Sequence, residues 1–182
     1  AETGAISVYA TTEPHEALLL GGNTATLSEG RITQFGSTIS VFRKPRNLIT
    51  ARTFADPPLN MIALDKEGHD FVLEGGVRLP VPAELAGIPD ANYTIAFQPH
   101  HLSMRRPNAA AVSVKAKVIA TEITGSESFV HLSFADARWG MLAHCVLSFE
   151  PDQMVDVYID PRHIMVFDGH GNAVSPRTRK AA

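Results

Sequence analysis

The sequence has few of the features that mark specialised classes of protein. It contains a single cysteine, Cys145, among 182 residues, which excludes an internal disulfide framework and favours a reducing compartment. Its 16 basic residues stand against 19 acidic ones, so no charge excess points to a nucleic-acid partner. No apolar run approaches the ~18 residues that span a bilayer, and no signal-peptide pattern is present. With 45% hydrophobic and 19% charged residues, we expect a folded, soluble, intracellular protein.

The first third of the chain has an α/β pattern. Thr12 or Glu13 can cap a helix that has Pro14 at its first position, and Gly21 can end that helix. The predicted elements are a buried strand at 5–10, a helix over 14–20, a hairpin of strands 24–27 and 31–35, and helices at 38–43 and 46–54.

After Asp56-Pro-Pro58 the apolar residues recur mostly with a period of two, which is typical of β-strands. Turn clusters such as Thr124-Gly-Ser126 separate these runs. The spacing of several short strands predicts a small barrel or sandwich. The predicted strands are Tyr93–Gln98, Val112–Glu122, Phe129–Phe134, Trp139–Phe149, Met154–Ile159 and His163–Phe167.

Four motifs occur in order between residues 9 and 60. They are Tyr9-Ala-Thr-Thr-Glu-Pro14, Gly30-Arg-Ile-Thr-Gln-Phe-Gly36, Phe42-Arg-Lys-Pro-Arg-Asn47 and Phe54-Ala-Asp-Pro-Pro-Leu-Asn60. This stretch resembles the end of the nucleotide-binding domain of ABC importer ATPases of the sugar and polyol class. The resemblance implies that residues 1–56 are the C-terminal end of such a domain.

The remainder, residues 57–182, is similar to the transport-associated OB-type (TOBE, MOP-like) regulatory domain of those ATPases. The resemblance implies a mainly β fold, an OB-type barrel preceded by an α/β remnant. The motifs that carry it are Ala96-Phe-Gln-Pro-His-His101, Glu122-Ile-Thr-Gly-Ser-Glu127 and Phe167-Asp168 before Gly171. The regulatory-motif residues transferred from the family are Gln98, Pro99, His100, His101, Glu122, Gly125 and Glu127.

The sequence contains no phosphate-binding Gly-x-x-x-x-Gly-Lys-Ser/Thr motif and no Gly-Lys pair at all. An apolar strand that ends in Asp-Glu, as needed for magnesium, is also missing. The family places both motifs upstream, so we expect a C-terminal fragment that does not hydrolyse ATP by itself.

The resemblance implies that the full-length protein uses ATP and magnesium to drive uptake of a sugar or polyol, such as glycerol. Its expected partners are an identical or unlike ATPase subunit, transmembrane permease subunits and, indirectly, a periplasmic solute-binding protein. The expected location is cytoplasmic, peripheral on the inner face of the plasma membrane.

One position departs from the family. A histidine that reaches the γ-phosphate and the attacking water is replaced here by Thr12, followed by the acidic position Glu13. Threonine has no base that titrates near pH 7. Two interpretations stay open: the ATP site is degenerate within a pair of unlike subunits, or Thr12 is only a helix cap.

The barrel also admits two interpretations. OB-type barrels can bind a small ligand or an oxyanion, but Gln98 and His100 are neutral where the family has charged residues, which weakens that alternative. We favour an interaction module that holds two subunits together.

Eight histidines raise the question of a metal, but their spacing fits none, and we predict no metal site. His100 and His101 are expected on opposite faces of a strand, and His131, His144 and His163 within strands. Cys145 is predicted to be a small core residue, and Trp139 a core or interface residue rather than a sugar-stacking one. The basic tail Pro176–Lys180 is expected to be solvated.

Overall fold

The computed structural model describes residues 6–175, so the predicted solvated tail lies outside the described residues. The chain divides into two compact units, Ala1–Phe54 and Ala55–Ala182. Among the described residues, no helix is long and apolar enough to cross a membrane. The predicted mainly β fold is confirmed, because most of the regular structure consists of strands. The assignment of the units to an ATPase remnant and a regulatory barrel stays a prediction.

The first unit consists of one antiparallel hairpin and three short helices. The predicted hairpin and the first two helices are confirmed. The first helix ends at Gly21, whose φ of 68° is one that glycine adopts without strain. The elements are α1 (Pro14–Leu20), β1 (Asn23–Ser28), β2 (Arg31–Ser37), α2 (Thr38–Arg43) and α3 (Leu48–Thr53).

Two predictions for this unit are wrong. Residues 6–10 form no strand, and Ile6 and Val8 are 96% and 94% exposed, because no strand of the described chain pairs with them. Ala5 lies outside the described residues. The third helix begins at Leu48 rather than at residue 46, because the Asn47 side chain caps it by accepting a hydrogen bond from the Thr50 N–H at 2.8 Å.

Two residues from the sequence motifs hold the loop before α3 against β2. The Gln34 side chain accepts a hydrogen bond from the Arg46 N–H at 2.7 Å and donates one to the Lys44 carbonyl at 3.1 Å. The Asn47 amide donates to the Thr33 carbonyl at 3.0 Å. Their presence in the motifs therefore has a structural cause, since they satisfy backbone groups of an irregular segment.

The first unit has a small core and an unusually apolar surface. Val41, Ala51 and Phe54 are buried, and the Phe42 ring packs edge-on against Phe54 at 6.1 Å between centroids. Large hydrophobic side chains nevertheless lie exposed on every element and on the segment that precedes α1: Ile6, Val8, Tyr9, Leu19, Leu20, Leu27, Ile32, Phe35, Ile39, Phe42 and Ile49.

The second unit contains two five-stranded antiparallel sheets. The first sheet has the order β12-β6-β3-β4-β5 and the second the order β10-β9-β8-β11-β7. The strands are β3 (Asn60–Glu67), β4 (Asp70–Val72), β5 (Arg78–Pro80), β6 (Asn92–Phe97), β7 (Leu102–Ser103), β8 (Val112–Ile123), β9 (Ser128–Phe134), β10 (Ala137–Ala143), β11 (Met154–Ile159) and β12 (Met165–Phe167).

The period-two prediction locates β6, β8, β9 and β11, misses the eight-residue strand β3 and fails where the chain leaves a sheet. The run from Trp139 to Phe149 stops being a strand after Ala143, so His144 lies just beyond β10. Cys145 is exposed rather than buried for the same reason, and its predicted core role is wrong. His163 lies in a 3-10 turn before β12, not in a strand, whereas His131 lies in β9 as predicted.

The two sheets share one hydrophobic core. Trp139 is 2% exposed and stacks on Phe134 at 4.7 Å between ring centroids, with Phe97 edge-on at 5.3 Å. Its predicted core role is confirmed. Buried side chains from both sheets complete the cluster, among them Leu64, Phe71, Ile95, Val118, Leu132 and Met141.

A side chain joins the two sheets where β3 meets β10. The buried Asn60 amide donates to the Gly140 carbonyl at 2.8 Å, and its oxygen accepts from the Gly140 N–H at 2.6 Å. The Trp139 indole N–H donates to the Met61 carbonyl at 3.2 Å. Asn60 thus acts in place of a neighbouring strand and satisfies buried backbone groups of the edge strand β10.

The chain passes between the sheets at two points only within the described part of this unit. It leaves the first sheet between β6 and β7 through a 3-10 turn at Pro99–His101, and it returns between β11 and β12 through another at Pro161–His163. Both crossovers therefore use a Pro-x-His turn. These two turns contain His100, His101 and His163, whose rings are described below.

Candidate functional site

The predicted nucleotide-switch residues lie at the start of α1 in the first unit. Glu13 is the N-cap of this helix, and Thr12 precedes it. Both line an open groove of about 630 Å³ between the segment 7–14 and the hairpin. Apolar and hydroxyl side chains dominate the groove, including Val8, Tyr9 and Phe35.

Thr11, rather than Thr12, holds the start of α1. The Thr11 hydroxyl oxygen accepts from the Glu13 N–H at 2.9 Å, and the hydroxyl donates to the Glu16 carboxylate. Glu16 also accepts from the Tyr9 hydroxyl at 3.2 Å, and the nearby carboxylate raises the pKa of Tyr9. Among residues 6–175, no hydrogen bond is found for the exposed Thr12 side chain.

The first regulatory motif forms the crossover turn between β6 and β7. Gln98 is the N-cap residue, and its carbonyl accepts from the His101 N–H at 2.9 Å. Pro99 is buried, His100 is exposed and His101 is half-buried. The two histidines were predicted on opposite faces of a strand, and this is wrong: the tight turn places their rings 4.2 Å apart.

The second regulatory motif forms the end of β8 and the turn into β9. Glu122 lies within 2.8 Å of the His131 ring on the neighbouring strand. Gly125 occupies the turn with a φ of 93°, a conformation that side chains disfavour. Glu127 is 2.7 Å from the His144 ring, which follows β10.

The two motifs approach each other through His144. This ring is held by Glu127, and its charge acts on His100 together with that of His163. Partial burial, followed by these two rings, lowers the pKa of His100. The structure thus brings Glu127 and His100 into one histidine-rich region, whereas Glu122 and Gly125 lie along the β8–β9 hairpin.

A buried carboxylate anchors the second crossover turn. Asp160 is 3% exposed and accepts from the Arg162 guanidinium at 2.7 Å and from the Asn108 amide at 2.6 Å. It also caps the turn through the Arg162 N–H at 3.0 Å. These donors, the Arg162 side chain above all, lower the pKa of Asp160 to about 2.

The rings of His101 and His163 stack on each other at 4.1 Å between centroids, with 16° between their planes. This contact was not predicted, although the repeated Pro-x-His pattern at residues 99–101 and 161–163 is visible in the sequence. In residues 6–175 no group of three or more His, Cys, Asp and Glu side chains has an arrangement that could hold a metal ion.

Comparison with known proteins finds relatives of one functional class. The chain is 28% identical over 136 residues to the sn-glycerol-3-phosphate import ATP-binding protein UgpC of Salmonella typhimurium, covering 74% of this chain and 36% of that protein. It is 27% identical over 146 residues to the xylose/arabinose import ATP-binding protein XacK of Haloferax volcanii, covering 76% of this chain and 37% of that protein.

The chain matches no protein-family model. A solved structure of the cytoplasmic molybdate-binding protein ModG, with molybdate bound, is similar at a TM-score of 0.44 and 14% identity, covering 59% of this chain and 93% of that one.

The chain spans little more than a third of the length of the curated relatives it matches. Those relatives are import ATP-binding proteins, for a phosphorylated polyol in one case and for pentoses in the other. The resemblance drawn from the sequence motifs is confirmed: this chain is a homologue of the ATP-binding subunits of sugar and glycerol-3-phosphate ABC importers.

Proposed function

We propose that this chain is the regulatory and dimerising segment of the ATP-binding subunit of an ABC importer for sugars or polyols. The observation that carries the proposal is the similarity to import ATP-binding proteins over about three quarters of the chain. In the full-length protein, ATP and magnesium drive uptake through transmembrane permease subunits that receive their substrate from a periplasmic binding protein. The subunit then acts on the cytoplasmic side, peripheral to the plasma membrane.

The apolar surface of the first unit supports its assignment to a larger ATPase domain. Monomeric proteins rarely expose contiguous apolar patches without a partner for them. Leu27, Ile32 and Phe35 on the hairpin are each more than 60% exposed, and the segment before α1 has no strand beside it in the described chain. A unit of this kind needs further protein to cover it.

We also propose that the ATP site of the full-length protein is degenerate at Thr12. The helix-cap interpretation is not supported, because Glu13 is the N-cap residue of α1 and no side chain makes a cap hydrogen bond there. Thr12 is thus an exposed residue on a groove wall, at the position where the family places its catalytic histidine. Such a subunit hydrolyses ATP well only when it is paired with an unlike subunit that keeps the histidine.

The proposal predicts that the 182-residue chain binds no Mg-ATP, since it contains no phosphate-binding loop and no magnesium carboxylate motif. Calorimetric titration with Mg-ATP is expected to give no heat of binding, whereas the full-length protein is expected to bind it. The full-length protein serves as the matched control in the same buffer. Micromolar affinity of the short chain, or no binding by the full-length protein, would contradict the proposal.

A further inference from the structure

The crossovers between the two sheets of the second unit have equivalent sequences. Each consists of a strand, an N-cap residue, a Pro-x-His 3-10 turn and a second strand: Gln98-Pro-His-His101 leads into β7, and Asp160-Pro-Arg-His163 leads into β12. The last residues of the two turns are His101 and His163. Their rings stack face to face at 4.1 Å, so one histidine of each crossover contacts the other.

This pair connects points that are distant along the chain. His101 lies directly before β7, which pairs with β11, and His163 lies two residues before β12, which pairs with β6. Each turn is closed by the N–H of its histidine, which donates to the carbonyl of the N-cap residue, at 2.9 Å for His101 and 3.0 Å for His163. The stack is therefore a direct side-chain contact between the two crossover turns.

The surroundings of His101 favour a neutral ring. Its Nδ1 atom is buried and has no hydrogen-bond partner within the described chain, so a proton added there would find no acceptor. The His100 ring lies against it at 4.2 Å on another side. Burial, followed by the charges of His100 and His163, lowers the pKa of His101 to about 4.

The other charged groups near the stack do little to offset the lowering of the His101 pKa. Within residues 6–175, Asp160 is the one carboxylate that acts on the pair, at 3.8 Å from His163 Nε2, and its oxygens already accept from Arg162 and Asn108. From β10, which packs against the first turn, exposed Arg138 lies at the far end of the strand. His144 follows β10 and is itself held by Glu127 at 2.7 Å.

We propose that the His101–His163 stack is a proton-sensitive lock between the two sheet crossovers, closed at neutral pH and released as the pH falls below about 6. The inference does not depend on the proposed function, because it rests on the geometry of the second unit alone. The closed stack favours the neutral His101 ring, whereas in an open state the ring has its ordinary pKa. The stabilisation that the stack contributes is therefore complete above pH 6.5 and is lost as the pH falls from 6.5 towards 4.

The test is amide hydrogen exchange of the whole chain by NMR at pH 7.5 and pH 5.0, with protection factors corrected for intrinsic rates. We expect protection of the His101 and His163 amides and of the β7 amides to fall about tenfold at pH 5.0. The variant His101→Phe keeps a flat ring for stacking but cannot gain a proton. Its protection is expected to be equal at the two pH values.

A second variant and a control keep the test decisive. His163→Phe removes the other imidazole of the stack and is expected to reduce the pH-dependent loss as well. His69→Asn alters an exposed histidine in the turn after β3 and is expected to leave the tenfold loss unchanged. Equal protection of the wild type at both pH values, or the same loss in both phenylalanine variants, would overturn the proposal.

Discussion

Replacing Thr12 by histidine is expected to raise ATP hydrolysis by the full-length protein, in the absence of any other subunit, by roughly 100-fold or more. General acid–base groups and the positioning of water typically contribute ~10²–10⁴-fold in rate. The Thr12 side chain is exposed on a groove wall and caps no helix, so the substitution does not disturb the start of α1. Single-turnover hydrolysis by the wild type and by Thr12→His measures the difference.

Two control variants separate chemistry from structure in this experiment. Thr12→Gln introduces a side chain of similar reach with no base near pH 7, and it is expected to stay slow. Thr11→Val removes the hydroxyl that accepts from the Glu13 N–H, so it tests the helix start alone. Brisk hydrolysis by the wild type, unchanged in Thr12→His, would show that Thr12 has no role in the defect.

Removal of the Asn60 side chain is expected to destabilise the second unit by about 3 kcal/mol. Asn60→Ala leaves the buried N–H and C=O of Gly140 without partners, and each unsatisfied group costs about 1–3 kcal/mol. Urea unfolding followed by tryptophan fluorescence suits this test. The protein has a single tryptophan, the buried Trp139, so the signal reports on the second unit alone.

Asn92→Ala is the matched control for this substitution. Asn92 lies on β6 and is exposed, and among the residues that the structure describes its side chain donates only to Asp65, at 3.3 Å. Its removal is expected to change the free energy of unfolding by less than about 0.5 kcal/mol. A loss below about 1 kcal/mol in Asn60→Ala would show that the contact between β3 and β10 depends little on these two hydrogen bonds.

The sequence correctly predicted the elements that depend on residues close to one another in the chain. Gly21 ends α1 and the period of two locates β8, β9 and β11, because turn chemistry and one-sided burial leave a direct trace in the sequence. Residues 6–10 were misassigned because an apolar run forms a strand only if another strand pairs with it. The short strands β4 and β5, each of three residues, are too brief to show a period.

The candidate site was less predictable because its contacts are long-range. His101 and His163 are 62 positions apart, and only the crossover topology brings their rings together. Asn60 was recognised as a motif residue, but its role became clear only from its contact with Gly140, 80 residues away. Cys145 was expected in the core because the apolar run continues past it, but β10 ends at Ala143 and leaves Cys145 exposed.

Sedimentation of the 182-residue chain at tens of micromolar tests the central claim, a dimerising regulatory segment, most directly. The chain is measured alone and mixed with the equivalent segment of a second ATP-binding subunit from the same importer. A dimer in at least one of the two samples, dissociating on dilution, is the predicted result. A strict monomer in both samples across the whole concentration range would contradict the account.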